Sequence, residues 1–193
     1  MKPAHPGRVP LGLLVSATVL ASGLWAAEVV RPDVPTADER AALPARQAEF
    51  RRLHRDVTVA VFPVRLGSAA DAGRASELAD SLSRAGIGRV CAVTAPMPSA
   101  ATIPAVAEHA TPWNLARAFR AHLRGNPCGA DYAILVDASG AEGVDFVLCD
   151  ARGDWVLVGS RDFPPVAPRA WTGLVVDALL DLVNRAPPQP PPL

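Results

Sequence analysis

Residues 57–93 read VTVAVFPVRLGSAADAGRASELADSLSRAGIGRVCAV, and this stretch decides the fold class. It begins with VTVAVFPV, whose β-branched and aromatic residues stand on both faces, as in a strand that is covered on two sides. From Asp71 to Ala85 the apolar period changes to about 3.6 residues, which predicts a helix that ends before Gly86. RVCAV, residues 89–93, is the next strand. Strand, helix and strand in this order predict a parallel βαβ unit.

The second half of the chain adds two helices and three strands. Thr111-Pro112 is typical of a helix start, because a hydroxyl caps the first turn and a proline there loses no hydrogen bond. Gly125 is expected to end this helix. ADYAILVD, residues 130–137, predicts the third strand. Pro168 is expected to open the last helix. Its apolar stripe is Trp171, Leu174, Val175, Ala178, Leu179, Leu182 and Val183.

Residues 145–163, DFVLCDARGDWVLVGSRDF, predict strands four and five as a hairpin. If Asp150 pairs with Asp154, the residues between them form a three-residue loop with glycine in the left-handed position. The register that follows pairs Cys149 with Trp155, Leu148 with Val156, Val147 with Leu157, Phe146 with Val158 and Asp145 with Gly159. Arg152-Gly153-Asp154 also matches an adhesion tripeptide, but all three residue types are frequent here, so the hairpin interpretation is favoured.

The order of elements, β-α-β-α-β-β-β-α, predicts an α/β (α+β) domain with a single five-stranded mixed sheet. Strand one is expected to be central, strands three to five to form a meander, and the helices to cover the sheet. The domain is expected to span residues 57–185. A charged helical connector, residues 28–56, precedes it, and Thr36 and Glu39 in this connector fit a capping box. A proline-rich, disordered tail is expected at residues 186–193.

Residues 1–27 differ in composition from the rest of the chain. Lys2 and Arg8 precede the apolar run LGLLVSATVLASGLWAA, an order that is typical of a secretory signal peptide. The run is also just long enough for an uncleaved N-terminal membrane anchor, so both interpretations stay open. Either one predicts export across the cytoplasmic membrane, to a periplasmic or extracellular location.

Charge and motifs exclude several classes of function. The chain has 19 basic and 19 acidic residues, and no block of like charge stands out. A nucleic-acid-binding groove needs a clustered basic face, so nucleic acid is not an expected partner. The sequence contains no P-loop, GxGxxG or GxSxG motif, and its histidines and cysteines lack metal-ligand spacing. We therefore predict no cofactor, no metal ligands and no catalytic residues.

Three residues remain as weak candidates for chemistry. Asp137 ends strand three and Asp150 ends strand four, where carboxylates sometimes activate water, although each also fits the start of a turn. Cys128 lies in a loop and is the candidate for a reactive thiol. Cys91 and Cys149 are expected to be buried inside strands as small apolar residues. Buried thiols are favoured over a disulfide between any two of the three cysteines.

Several segments resemble known exported proteins. AVFPV (60–64), SELADSLSRAG (76–86) and GADYAILV (129–136) resemble the TolB amino-terminal domain and related CsgG/LpoB-type envelope proteins. TPWNLARAFRAHLRGNPCGADYAIL and FVLCDARGDWVLVGSRDF are similar to segments of a family of uncharacterised exported bacterial proteins. The resemblance covers roughly residues 57–183. It implies this fold and a role in the cell envelope, and it carries no catalytic residues across.

The sequence shows apolar patterns that pack a domain, and it shows no group of polar residues with the spacing of a catalytic site. This favours an exported, non-catalytic α/β domain that binds another envelope protein or itself. Val176 and Leu180 widen the stripe of the last helix beyond one face, which predicts a contact surface there. Two alternatives stay open: a small periplasmic hydrolase that uses Asp137 and Asp150, and a thiol-based redox protein. Contact with a membrane is expected only through the N-terminal segment, if that segment is not cleaved.

Overall fold

A computed structural model describes residues 35–66, 69–94, 112–140, 143–163 and 170–185. The predictions for the signal or anchor segment, for the start of the connector and for the proline-rich tail lie outside these residues. So do Thr111 and Pro168, at the predicted starts of two helices. The described part of the chain is an α+β fold with four helices and a mixed sheet of seven strands.

The helices and strands follow one another in the predicted order, with one helix before them and two short strands added. The helices are α1 (Ala37–Leu53), α2 (Ala72–Arg84), α3 (Pro112–Gly125) and α4 (Trp171–Asn184). The strands are β1 (Thr58–Val61), β2 (Val64–Leu66), β3 (Ala69–Asp71), β4 (Arg89–Ala92), β5 (Tyr132–Asp137), β6 (Gly143–Asp150) and β7 (Trp155–Asp162).

The sheet combines parallel and antiparallel pairs. β1 lies between β4 and β5 and is parallel to both, as the βαβ pattern predicts. β5, β6 and β7 form the predicted antiparallel meander. Between β1 and β4 the chain forms β2, β3 and then helix α2. This helix buries its predicted apolar stripe: Ala75, Leu78, Ala79 and Leu82.

The prediction of five strands is wrong, because residues 64–71 contain two additional short strands. The strand expected over VTVAVFPV is divided at Pro63, which has no N–H to give to a sheet. β2 then continues along the edge of β5 that β1 occupies, with Arg65 opposite Asp137. β3 pairs with β2 in antiparallel orientation. Strands of three residues are too short to show the alternation from which strands are predicted.

The sheet buries a hydrophobic cluster on each face, as expected for a strand with apolar residues on both sides. Val59 and Val61 of β1 belong to the cluster that includes α2 and α4. Ala60 and Phe62 belong to the cluster that includes α3. Trp155 of β7 is fully buried in this second cluster, and its indole N–H donates to the Ala116 carbonyl at 3.0 Å.

Helix α1, in the predicted connector, is part of the packed structure. The capping box is confirmed: Glu39 N–H donates to the Thr36 hydroxyl, and Thr36 N–H donates to the Glu39 carboxylate. Phe50 is fully buried in the first cluster, and burying such a side chain contributes about 1.5–3 kcal/mol. The Gln47 side chain donates to the Val156 carbonyl of β7 at 3.1 Å. These contacts fix α1 against the sheet, so it can form one wall of a site.

The β6–β7 hairpin has the predicted turn. Gly153 N–H donates to the Asp150 carbonyl at 2.9 Å, and Asp150 N–H donates to the Asp154 carbonyl at 2.9 Å. Gly153 has φ +80°, the left-handed conformation that glycine adopts without strain. Cys149 lies opposite Trp155, as predicted.

Beyond this first pair, the predicted register is wrong by one residue. A bulge leaves Val156 as an extra residue, so Leu148 lies opposite Leu157, Val147 opposite Val158 and Phe146 opposite Gly159. The position of the Phe146 ring explains the shift: a Cβ at residue 159 would come within 2.5 Å of it. Only glycine leaves room for the ring at this register, and sequence alternation does not reveal such a fit.

Candidate functional site

A cleft of about 510 Å³ lies at the end of the sheet where β1 and β5 begin. Helix α1 supplies one wall with Arg46, Glu49 and Leu53, and the β6–β7 hairpin supplies the other with residues 150–152 and 154. Val57, Asp131 and Tyr132 lie between the two walls. This volume is within the range of about 300–1,000 Å³ that is typical of small-ligand sites.

Tyr132 is the most buried polar side chain of the cleft. Only 6% of the residue is exposed, and its ring packs edge-to-face on Phe50 with the centroids 4.9 Å apart. Its hydroxyl has no hydrogen-bond partner within the described ranges. Burial raises the pKa of Tyr132, and the charges of Glu49, Asp150 and Asp131 raise it further, whereas the charge of Arg52 lowers it. The phenol is therefore neutral at physiological pH.

Two carboxylates near Tyr132 are fixed by backbone contacts. Asp150 lies directly opposite Tyr132 in the sheet, and one of its oxygens accepts from the N–H groups of Arg152 (2.9 Å) and Asp154 (2.8 Å). Asp131 accepts from the N–H and the hydroxyl of Thr58, both at 2.7 Å. These bonds from Thr58 lower the pKa of Asp131, so this carboxylate stays ionised.

A third carboxylate, Glu49, is exposed on α1. It lines the same cleft as Asp150 and has no ion pair with any described residue. Its charge acts on the Tyr132 phenol from the side of α1, whereas Asp150 and Asp131 act from the sheet. The phenol therefore lies among three negative charges from separate parts of the chain, and Arg52 offsets part of them.

The fourth carboxylate of the cleft, Asp154, is neutralised by arginines. Arg46, Arg120 and Arg124 approach it at 3.4, 3.5 and 3.4 Å. The preceding residue, Gly153, is buried against the backbone of Arg120. Arg152 is exposed, but Gly153 is buried and Asp154 is held by three arginines, so the aspartate of the Arg152-Gly153-Asp154 tripeptide is not displayed for an adhesion receptor.

The structure separates the two predicted candidates Asp137 and Asp150. Asp150 pairs with Tyr132 at the start of β5, and Asp137 pairs with Asp145 at its end. At about 3.3 Å per residue, this places them roughly 17 Å apart along the strand. They also project from opposite faces of the sheet, because residues 132 and 137 of β5 have opposite parity. Asp150 lines the cleft and Asp137 does not.

Asp137 has a different carboxylate as its neighbour. Asp145 lies directly opposite it, and burial, together with the charge of Asp137, raises the pKa of Asp145 although a hydrogen bond with Ser160 lowers it. Asp137 itself pairs with Arg65 at 3.3 Å and accepts from the N–H of Ser139 at 3.0 Å. The expected turn role of Asp137 is therefore observed. The sequence places Asp145 in the hairpin but does not identify it as the neighbour of Asp137.

The three cysteines are free thiols. Cys149 is fully buried, as predicted, and its burial raises the pKa of its thiol. The expectation of burial is wrong for Cys91, which is exposed. β4 is an edge strand of the described sheet, paired only with β1, and its residues alternate between exposed and partly buried. Cys128, the predicted reactive thiol, is half-buried beside the second cluster.

Val176 and Leu180 lie one turn apart on α4, and both are partly exposed. Val176 packs at the margin of the first cluster. Leu180 contacts neither hydrophobic cluster. The opposite side of the helix is buried: Trp171, Val175, Ala178, Leu179 and Leu182.

Among the described residues, no three histidine, cysteine, aspartate or glutamate side chains are grouped closely enough to hold a metal ion. None of the four described helices combines the length and the apolar character needed to cross a membrane. Comparisons of the chain with protein-family models, with curated proteins and with solved structures find no match.

Proposed function

We propose that this protein is an exported, non-catalytic module of the cell envelope. It binds another envelope protein, or a second copy of itself, through the outer face of α4. The observation that carries the proposal is Leu180, a large apolar side chain that is partly exposed and lies outside both hydrophobic clusters. With Val176 one turn away, it forms an apolar pair of the kind that a partner covers.

The charges on α4 suggest the chemistry of the partner. Asp177 and Asp181 are exposed on either side of Leu180 in the sequence, and α4 carries no basic residue in its last turn. Within the described part of the chain, the ion pair of Asp181 is a distant one with Arg161, at 3.9 Å. A partner surface that complements this face would offer an apolar ridge flanked by lysine or arginine side chains.

The non-catalytic and exported parts of the proposal have separate support. The hydrolase alternative needs Asp137 and Asp150 together, but the strand register keeps them at opposite ends of β5. The export of the protein is supported by residues 1–27, in which basic residues precede an apolar run.

Site-specific photo-crosslinking of the full-length protein in a cell envelope tests the proposal. A photoreactive side chain at residue 180 is expected to capture a discrete partner or a second copy of the chain. The same group at residue 121, an exposed alanine on α3, is the control and is expected to capture neither. Leu180→Asp should abolish capture by a photoreactive group at residue 176, whereas Ala121→Asp should not. Equal capture from residues 180 and 121 would overturn the proposal.

A further inference from the structure

We propose that the cleft between α1 and the β6–β7 hairpin binds an organic cation, with Tyr132, Asp150 and Glu49 as the residues that recognise its guanidinium or ammonium group. This site lies on a different surface from the outer face of α4. It therefore does not depend on the proposed function.

The charge of the cleft favours a cation. Arg46 is paired with Asp154, so the groups left to face a ligand are the carboxylates of Glu49, Asp131 and Asp150 against one arginine, Arg152. An anion placed between these carboxylates would be repelled, whereas a guanidinium or ammonium group would be attracted by all three. Glu49 has no ion pair with a described residue, and Arg52, one turn further along α1, offsets only part of the negative charge that acts on Tyr132.

Tyr132 offers a ligand a hydroxyl group inside the cleft. Its side chain is more than nine-tenths buried and lines the cleft, and its hydroxyl has no hydrogen-bond partner among the described residues. The hydroxyl oxygen is not one of the fully buried side-chain atoms that lack a partner, so it opens onto the cleft, where a ligand can reach it. A neutral phenol oxygen accepts a hydrogen bond from an N–H donor, which is the group that a guanidinium or ammonium brings.

The arrangement suits an extended organic cation better than a metal ion. One oxygen of Asp150 is occupied by the hairpin N–H groups, and Asp131 is bonded to Thr58. The carboxylates of the cleft do not converge to form a group of three around one point. The cleft has room for a ligand of several atoms, and Leu53 and Val57 offer apolar contact to an alkyl chain. A free amine and an arginine or lysine side chain of a peptide share this chemistry.

The composition of the chain provides a direct probe. Tyr132 is its single tyrosine, so the full-length protein labelled with ¹³C-tyrosine and kept in mild detergent gives one tyrosine resonance from inside the cleft. Titration with agmatine, a free guanidinium compound, or with acetyl-Gly-Arg-Gly-amide is expected to shift this resonance saturably. Glutarate, a dianion, is expected to leave it unchanged. Tighter binding of the peptide would assign the site to a protein side chain, and tighter binding of agmatine would assign it to a small molecule.

Three variants and a control separate specific binding from non-specific attraction. Titration calorimetry should show agmatine or peptide affinity about 2–10-fold weaker in Tyr132→Phe, which loses one hydrogen bond. Glu49→Gln and Asp150→Asn should each weaken binding by about 3–10-fold, because each removes one charge. Asp80→Asn removes an exposed carboxylate from α2, outside the cleft, and should leave affinity unchanged.

Two results would overturn the proposal. One is a tyrosine resonance that moves with neither agmatine nor the peptide up to millimolar concentration. The other is binding that Asp80→Asn weakens as much as Glu49→Gln does, since that would indicate only attraction to the net charge of the surface. Circular dichroism of every variant verifies that the fold is retained. Glu49→Gln is the substitution least able to disturb the fold, because Glu49 is exposed on α1.

Discussion

The guanidinium carbon of Arg120 lies 3.8 Å from the centroid of the Trp155 ring, and this contact joins three elements of the fold. Arg120 comes from α3, and Trp155 begins β7. The same guanidinium pairs with Glu39 of α1 at 2.6 Å and donates to the Gly153 carbonyl at 3.3 Å. One side chain therefore connects both helices that flank the hairpin.

Arg120→Ala should lower the free energy of unfolding by about 2–4 kcal/mol. It removes a partly buried cation from the Trp155 ring and leaves the Glu39 carboxylate without its ion pair. Arg120→Lys should lower the free energy of unfolding by about half as much as Arg120→Ala, because an ammonium group keeps the charge but cannot form the two-pronged contacts of a guanidinium. Urea unfolding followed by tryptophan fluorescence measures both changes.

Arg124→Ala is the matched control. Arg124 also approaches Asp154, at 3.4 Å, but 59% of its side chain is exposed. Water screens such a pair, so this substitution should cost less than about 0.5 kcal/mol. Equal losses from Arg120→Ala and Arg124→Ala would show that the contact with Trp155 adds no stability.

Gly159→Ala should destabilise the protein by about 1–3 kcal/mol, as overpacking of a core does. Its Cβ would come within 2.5 Å of the buried ring of Phe146. In the double variant Gly159→Ala/Phe146→Leu, the smaller side chain at 146 should make the cost of the alanine smaller, and a double-mutant cycle measures this coupling. Gly173→Ala on α4 meets no atom within 4 Å and should instead be neutral or stabilising. A neutral Gly159→Ala would contradict the bulged register.

Much of the fold follows from local signals in the sequence. The capping box at Thr36, the apolar stripes of α2 and α4 and the turn at Gly153 each depend on a few neighbouring residues, and the sequence predicts each of them. The two extra strands, the bulge at Val156 and the exposure of Cys91 depend on contacts between distant segments. These features are set by tertiary packing, which the periodicity of apolar residues in the sequence does not show.

The cleft illustrates the same limit. The sequence suggests a site in which Asp150 and Asp137 act together. The strand register instead places Tyr132 opposite Asp150. The sequence gives no sign that the Tyr132 hydroxyl is without a hydrogen-bond partner among the residues that the structure describes. Glu49 reaches the cleft only because Phe50, the next residue, anchors α1 in the core. A wall supplied by a segment that precedes the predicted domain is visible only in the folded chain.

Thiol labelling of the native protein should modify Cys91 first. Cys91 is exposed on an edge strand, whereas Cys149 is fully buried, and burial raises the pKa of its thiol and hides the thiolate that reacts. Mass spectrometry after brief maleimide treatment should find one fast site, and Cys91→Ser should remove it. Cys149 should react only after unfolding in urea. Fast modification of Cys149 in the native protein would contradict the packing of the second cluster.

Asp145→Asn should raise the free energy of unfolding at neutral pH. Because burial raises the pKa of Asp145 in the folded state, the folded protein binds this proton more tightly than the unfolded chain does. The wild type should therefore lose stability as the pH rises from the ordinary aspartate pKa of 3.8 through the raised value. The gain in the asparagine variant should be no more than about 1 kcal/mol, because the partly exposed carboxyl is screened by water.

The pH dependence separates this electrostatic effect from a change in packing. Urea unfolding at a series of pH values should give curves for the wild type and for Asp145→Asn that approach each other near pH 3, where the aspartate is protonated in both states, and diverge above it. Asp80→Asn, which changes an exposed carboxylate on α2, should follow the wild-type curve. If the difference between the wild type and Asp145→Asn is the same at every pH, it comes from packing or hydrogen bonding at residue 145. The negative charge of the Asp145 carboxylate, which lies beside Asp137 and Ser160, would then have no measurable effect on the free energy of unfolding.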